Sequence, residues 1–247
     1  MKRIAFAGFA ALLLSSTAMA GEAVVYEVDG ANYEGYFAPA EGESKGLVLI
    51  VHDWDGLDSY ETGRADMLAA MGYDAFALDL FGQGNRPETV EARRAATGAL
   101  YSDRDKMRSL MMGGLQAARA RSDQETVVMG YCFGGAGVLE MARSGEADRV
   151  AGYATFHGAL ATPEGQSYPE GTPPLLIEHG GADTSITMED VAALSQQLEE
   201  KGITYEIDVY SGAPHAFTVM GSDRYREDAD MKSWAAFAEF LQTTLGS

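Results

Sequence analysis

The residue with the clearest chemical context is Cys132, the only cysteine in the chain. It sits in Gly130-Tyr131-Cys132-Phe133-Gly134, directly after the apolar run Val127-Val128-Met129 and before a helix-forming stretch. A G-x-C-x-G segment between a buried strand and a helix is the setting of a nucleophile elbow, with sulfur in place of the more common hydroxyl. The turn is strained, and side chains at Gly130 and Gly134 would meet neighbouring backbone. The helix that follows puts its N-terminus near the sulfur, so a thiolate is expected. A lone cysteine taken by itself reads as buried filler; two downstream segments change that reading. Leu175 to Glu178 runs into His179-Gly180-Gly181-Ala182-Asp183, and Thr204 to Tyr210 runs into Ser211-Gly212-Ala213-Pro214-His215. Cys132, Asp183 and His215 thus follow one another in the order nucleophile, acid, base, each just past an apolar run.

Competing residues are set aside on context. Gly42-Glu43-Ser44-Lys45-Gly46 also has the G-x-S-x-G form, but it precedes a strand and no helix follows. Of the four histidines, His52 and His157 end apolar runs, His179 precedes the acid turn, and only His215 lies between the last strand and the last helix. No pair of them has the spacing of a zinc site, so no metal is expected. Met107, Met111 and Met112 recur at helical spacing and read as core.

The elements that must hold these residues alternate regularly. Val24 to Val28 and Tyr33 to Phe37, flanking Asp29 to Asn32, read as a hairpin. Gly46 to His52, Asp74 to Asp79, Glu125 to Gly130, Val150 to Phe156, Leu175 to Glu178 and Thr204 to Tyr210 read as strands. The near-continuous apolar runs among them imply burial on both faces. Helical spacing covers Tyr60 to Met71, Glu88 to Leu100, Asp105 to Arg119, Gly135 to Arg143, Met188 to Lys201 and Tyr225 to Leu245. Strands alternating with helices predict the α/β class, a mostly parallel sheet with helices on both faces.

Composition limits the function classes. The chain has 247 residues, 46% of them hydrophobic, with 18 Lys+Arg against 37 Asp+Glu and a net charge of -19. Disorder and an intramolecular disulfide are excluded, and such acidity repels nucleic acid. Met1-Lys2-Arg3, the apolar Ile4 to Leu14 and Ala18-Met19-Ala20 have the form of a secretory signal peptide over residues 1–20, cut after Ala20. The apolar stretch falls short of the ~20 residues that span a bilayer, so no stable membrane insertion is expected once it is removed. Removal takes away two bases and no acid, so the charge goes from -19 to -21 in a periplasmic or secreted chain. Residues 21–247 read as one domain, since no linker divides them.

The chain resembles the dienelactone hydrolase family of α/β-hydrolases. The likeness is carried by His52-Asp53-Trp54-Asp55-Gly56, Gly130-Tyr131-Cys132-Phe133-Gly134-Gly135, Gly180-Gly181-Ala182-Asp183 and Pro214-His215-Ala216-Phe217, and spans residues 30 to 245. The resemblance implies an α/β-hydrolase fold, Cys132 as nucleophile, His215 as general base and acid, and Asp183 orienting the imidazole. It implies an oxyanion hole from the backbone N–H groups of Phe133 and Trp54. Two positions depart from the family pattern. Asp53 stands where a Glu usually contacts the resting thiol, and Val219 stands where dienelactone-specific members carry a carboxylate-binding Arg. Arg86, in the loop after Phe81-Gly82, is the candidate that supplies a charge instead. The implied reaction passes through a thioester and uses no cofactor. Its partner is a small-molecule ester or lactone. Thiolate leaves more readily than alkoxide, so activated esters are the expected substrates; the competing reading is a non-catalytic binding protein on the same scaffold.

Overall fold

The computed structural model describes residues 21–246; the expected signal peptide and its cleavage site lie outside the described residues. Among the described residues eight strands form one sheet: β1 (Glu22–Val28), β2 (Ala31–Ala38), β3 (Leu47–Val51), β4 (Asp74–Leu78), β5 (Thr126–Tyr131), β6 (Val150–Phe156), β7 (Leu175–Gly180) and β8 (Tyr205–Tyr210). Their order is β1-β2-β4-β3-β5-β6-β7-β8, with β1 and β2 antiparallel and β3 to β8 parallel. The helices among the described residues are α1 (Ser59–Ala70), α2 (Val90–Ser102), α3 (Arg104–Arg119), α4 (Phe133–Ser144), α5 (Met188–Glu200) and α6 (Glu227–Leu245).

The central strands are apolar on both faces because both are covered. In β3, Leu47, Leu49 and Val51 enter a core shared with α2, α3, α4 and α5, while Val48 and Ile50 enter one shared with α1 and α6. Each such side chain contributes about 1.5–3 kcal/mol on burial. This is the α/β-hydrolase fold, with all the parallel strands ending at the edge where Cys132, Asp183 and His215 lie.

Two boundaries differ from the sequence reading in ways that matter. The first hairpin turns on Asp29 and Gly30 alone, both with positive φ (51° and 79°), so Ala31 and Asn32 belong to β2. That is the two-residue turn whose twist suits a hairpin. Helix α4 starts at Phe133 instead of Gly135, immediately after the cysteine. The two glycines that obscured its start are needed for close approach.

Candidate active site

The elbow forms as its glycines require. Cys132 has φ 51° and ψ -110°, a sparsely populated conformation for a residue with a Cβ. A Cβ on Gly130 would stand 2.5 Å from the Gly134 carbonyl carbon, and one on Gly134 would stand 2.2 Å from the Val51 carbonyl oxygen. The obstacles are backbone atoms, which cannot turn aside. The Cys132 N–H donates to the Phe156 carbonyl at 3.0 Å, which ties the turn to β6.

His215 reaches the sulfur from the end of β8, and Asp183 meets His215 from the end of β7. The two loops are linked by hydrogen bonds from the Ala182 N–H to the Ala213 carbonyl (2.9 Å) and from the Gly181 N–H to the Tyr210 carbonyl (2.8 Å). His215 Nδ1 lies 2.7 Å from Asp183 Oδ2, and His215 Nε2 lies 3.1 Å from Cys132 Sγ. The other carboxylate oxygen of Asp183 accepts from the Ser185 and Ile186 N–H groups at 2.8 and 3.0 Å. Burial opposes the charge on Asp183, but hydrogen bonds from His215 and these N–H groups outweigh it and hold the carboxyl below its usual range. A carboxylate only accepts, so Nδ1 carries the proton and Nε2 is left to accept from the thiol.

The expected thiolate is corrected by the structure. Burial of the sulfur pushes the Cys132 thiol up to about 12, and the neighbouring Asp53 carboxyl adds to the effect once it is ionised. The Phe133 N–H points at the sulfur and works the other way, but desolvation outweighs it. The resting sulfur is therefore a neutral thiol, 3.1 Å from His215 Nε2.

Among the remaining candidates, Asp53 is buried next to the site, and burial together with Asp55 and Glu61 raises its carboxyl to about 9. Its Oδ1 accepts from the Asp55 N–H at 3.1 Å, while the hydrogen bond at Sγ goes to His215. One methylene shorter than Glu, the side chain closes a local turn on its own loop. Trp54 is half-buried, with the Arg93 guanidinium 5.4 Å from its ring. Arg86 is engaged structurally: it donates to the Leu57 and Asn85 carbonyls and pairs with Asp79. Arg93 is likewise paired with Asp55, and Arg104 with Glu140. No group of three or more metal-ligating side chains occurs among the described residues.

The sequence reading missed the polar layer behind His215. His157 packs its ring 5.3 Å from that of His215, and its Nε2 lies 2.8 Å from Thr218 Oγ1. The same hydroxyl lies 2.6 Å from the Tyr60 hydroxyl. Arg64 donates to the Thr218 carbonyl and forms a buried ion pair with Asp230. These residues come from α1, α6 and two loops, and no local spacing announces that they meet.

The chain is 26% identical over 203 residues to a probable 2-oxo-3-(5-oxofuran-2-ylidene)propanoate lactonase of a Bradyrhizobium species, covering 76% of this chain and 79% of the relative. It is 26% identical over 194 residues to carboxymethylenebutenolidase of Pseudomonas putida, covering 72% and 78%. A dienelactone hydrolase-like promiscuous phosphotriesterase from metagenomic libraries superposes with a TM-score of 0.83 at 24% identity, covering 92% of this chain and 99% of that one, and shows the same fold. The family model of the dienelactone hydrolases matches residues 33–245, a span that holds the elbow, the acid turn and the histidine loop together. With that match over nearly the whole described chain, the protein belongs to the dienelactone hydrolase family, a family of carboxylic ester and lactone hydrolases.

Proposed function

We propose that the protein is an exported cysteine-dependent hydrolase of activated carboxylic esters or lactones, acting through Cys132, His215 and Asp183 by way of a thioester. The observation that carries this reading is His215, which spans Cys132 Sγ at 3.1 Å and Asp183 Oδ2 at 2.7 Å. Export rests on the signal-like residues 1–20.

In this scheme the thiol proton passes to His215 Nε2 as sulfur bonds to the substrate carbonyl carbon. The oxyanion is held by the Phe133 and Trp54 N–H groups. Collapse breaks the carbon–oxygen bond to the leaving group, which takes the proton from His215. Water then gives a proton to Nε2 and attacks the thioester carbonyl; the second collapse expels thiolate, which regains the proton. Asp183 stabilises the imidazolium in both halves.

Leaving-group ability sets the substrate class. In the first tetrahedral intermediate sulfur competes with the leaving oxygen, so an enolate, a phenolate or a strained lactone oxygen goes forward where a simple alkoxide does not. Arg86, Arg93 and Arg104 are already paired with carboxylates, and Val219 adds no charge, which supports neutral substrates over anionic ones. Hydrolysis of p-nitrophenyl acetate tests the reading: Cys132→Ala and His215→Ala are expected to lose ~10³-fold or more, and ethyl acetate to be a poor substrate for the wild type. Equal rates in all three proteins, or ligand capture without turnover, supports the binding-protein reading instead.

A further inference from the structure

We propose that His52 is a positioning residue of the oxyanion hole: by holding the Asp53 carbonyl it turns the Trp54 N–H toward the reacting carbonyl group. The inference rests on the active-site reading above and adds to it a residue with no contact to substrate.

His52 follows β3 and is wholly buried. The Leu80 N–H, from the loop after β4, donates to His52 Nε2 at 3.1 Å. A backbone N–H is only a donor, so Nε2 carries no proton. Burial holds the ring neutral, against the carboxylates of Asp79 and Asp55 and alongside the Arg86 cation that also face it. The single proton is therefore on Nδ1, which donates to the Asp53 carbonyl oxygen at 2.6 Å. The ring cannot swing, because Phe81 lies 4.7 Å and Phe133 6.3 Å from its centroid.

The consequence comes from the peptide bond. The Asp53 carbonyl and the Trp54 N–H belong to one planar unit, and no cis bond occurs among the described residues, so the two groups point in opposite directions. Fixing the carbonyl on His52 aims the N–H away from His52. The preceding peptide is fixed as well, since the Asp53 N–H donates to Glu61 Oε1 at 3.3 Å and the Asp58 N–H donates to Glu61 Oε2 at 3.1 Å. The elbow packs against the same stretch: a Cβ on Gly134 would lie 2.5 Å from the His52 carbonyl oxygen. The orientation of the Trp54 N–H is thus fixed by a side chain whose tautomer is set from the loop after β4.

The test compares His52→Leu, which can neither accept nor donate, with His52→Gln, whose amide can do both. For His52→Leu, kcat on p-nitrophenyl acetate is expected to fall ~10²-fold with KM within about twofold, as for loss of one oxyanion donor. Alkylation of Cys132 by iodoacetamide is expected to stay within about twofold of wild type, since the sulfur and its base are untouched. His52→Gln is expected to recover at least about tenfold of the lost kcat. A His52→Leu enzyme within about threefold of wild type overturns the proposal, as does equal loss of kcat and of alkylation rate in both variants. If the leucine variant does not fold, nitrogen NMR of the wild-type ring decides: Nδ1–H with bare Nε2, unchanged from pH 5 to pH 9, is expected, and an Nε2–H tautomer refutes it. Full activity in Cys132→Ala would instead sink the active-site reading, so the two failures are distinguishable.

Discussion

The protonation state of Cys132 at rest has a direct kinetic signature. The structure raises the thiol from the ordinary value of 9.0 to about 12, chiefly by burial. At pH 8 an ordinary thiol is about one-tenth ionised and this one about one part in 10⁴, so thiolate is scarcer by about 10³-fold. A thiolate of higher pKa is intrinsically more nucleophilic, with a Brønsted slope of about 0.4–0.5, which returns about 15–30-fold. Iodoacetamide should therefore alkylate the folded protein roughly 30–70-fold more slowly at pH 8 than the same cysteine in urea-unfolded protein. Since Cys132 is the only cysteine, total incorporation reads this site alone. The rate should climb about tenfold per pH unit and still be rising at pH 10. A plateau reached between pH 6 and pH 8 would mean a thiolate–imidazolium pair at rest and would refute the desolvation argument.

Other expectations follow from the same contacts. Asp53 is uncharged below about 9; ionising it adds negative charge beside the sulfur and the oxyanion, so kcat/KM should fall above that pH, and Asp53→Asn should remove the fall. The folded value lies above the unfolded one, so this group's burial costs nothing below about pH 4 and lowers stability as pH rises toward 9. Asp53→Asn should accordingly raise the melting temperature at pH 8, with the gain shrinking toward pH 4. Gly134→Ala drives a Cβ to 2.2 Å from the Val51 carbonyl oxygen; loss of the folded state by circular dichroism, or of more than ~10²-fold in activity, is expected. Asp230→Ala strands the buried Arg64 cation and should cost about 3–5 kcal/mol in urea unfolding.

The fold was legible because its signals are local. Runs such as Leu47 to Val51 are apolar at every position, which only a strand covered on both faces requires, and the alternation with helices leaves few topologies. The candidate site was legible for a related reason: an elbow needs glycines at fixed positions around Cys132, and Asp183 and His215 follow strand ends. What stayed hidden depends on groups distant in sequence. The state of Cys132 is decided chiefly by desolvation, from side chains that only the fold gathers around it, which the helix N-terminus alone could not foretell. The bond of Nε2 in His52 to the Leu80 N–H spans 28 positions, and that between His157 and Thr218 spans 61. Arg86 has the charge to meet a carboxylate, but only the folded loop shows it bound to Leu57 and Asp79.

The central claim is a covalent acyl group on one sulfur atom. Wild-type protein mixed with p-nitrophenyl acetate and acid-quenched during turnover should show, by peptide mass mapping, acetylation confined to the peptide that carries Cys132. The adduct should disappear on longer incubation as water completes the cycle, and Cys132→Ala should show neither adduct nor turnover. Turnover that persists in Cys132→Ala, or acetyl groups that gather elsewhere while Cys132 stays free, would contradict it.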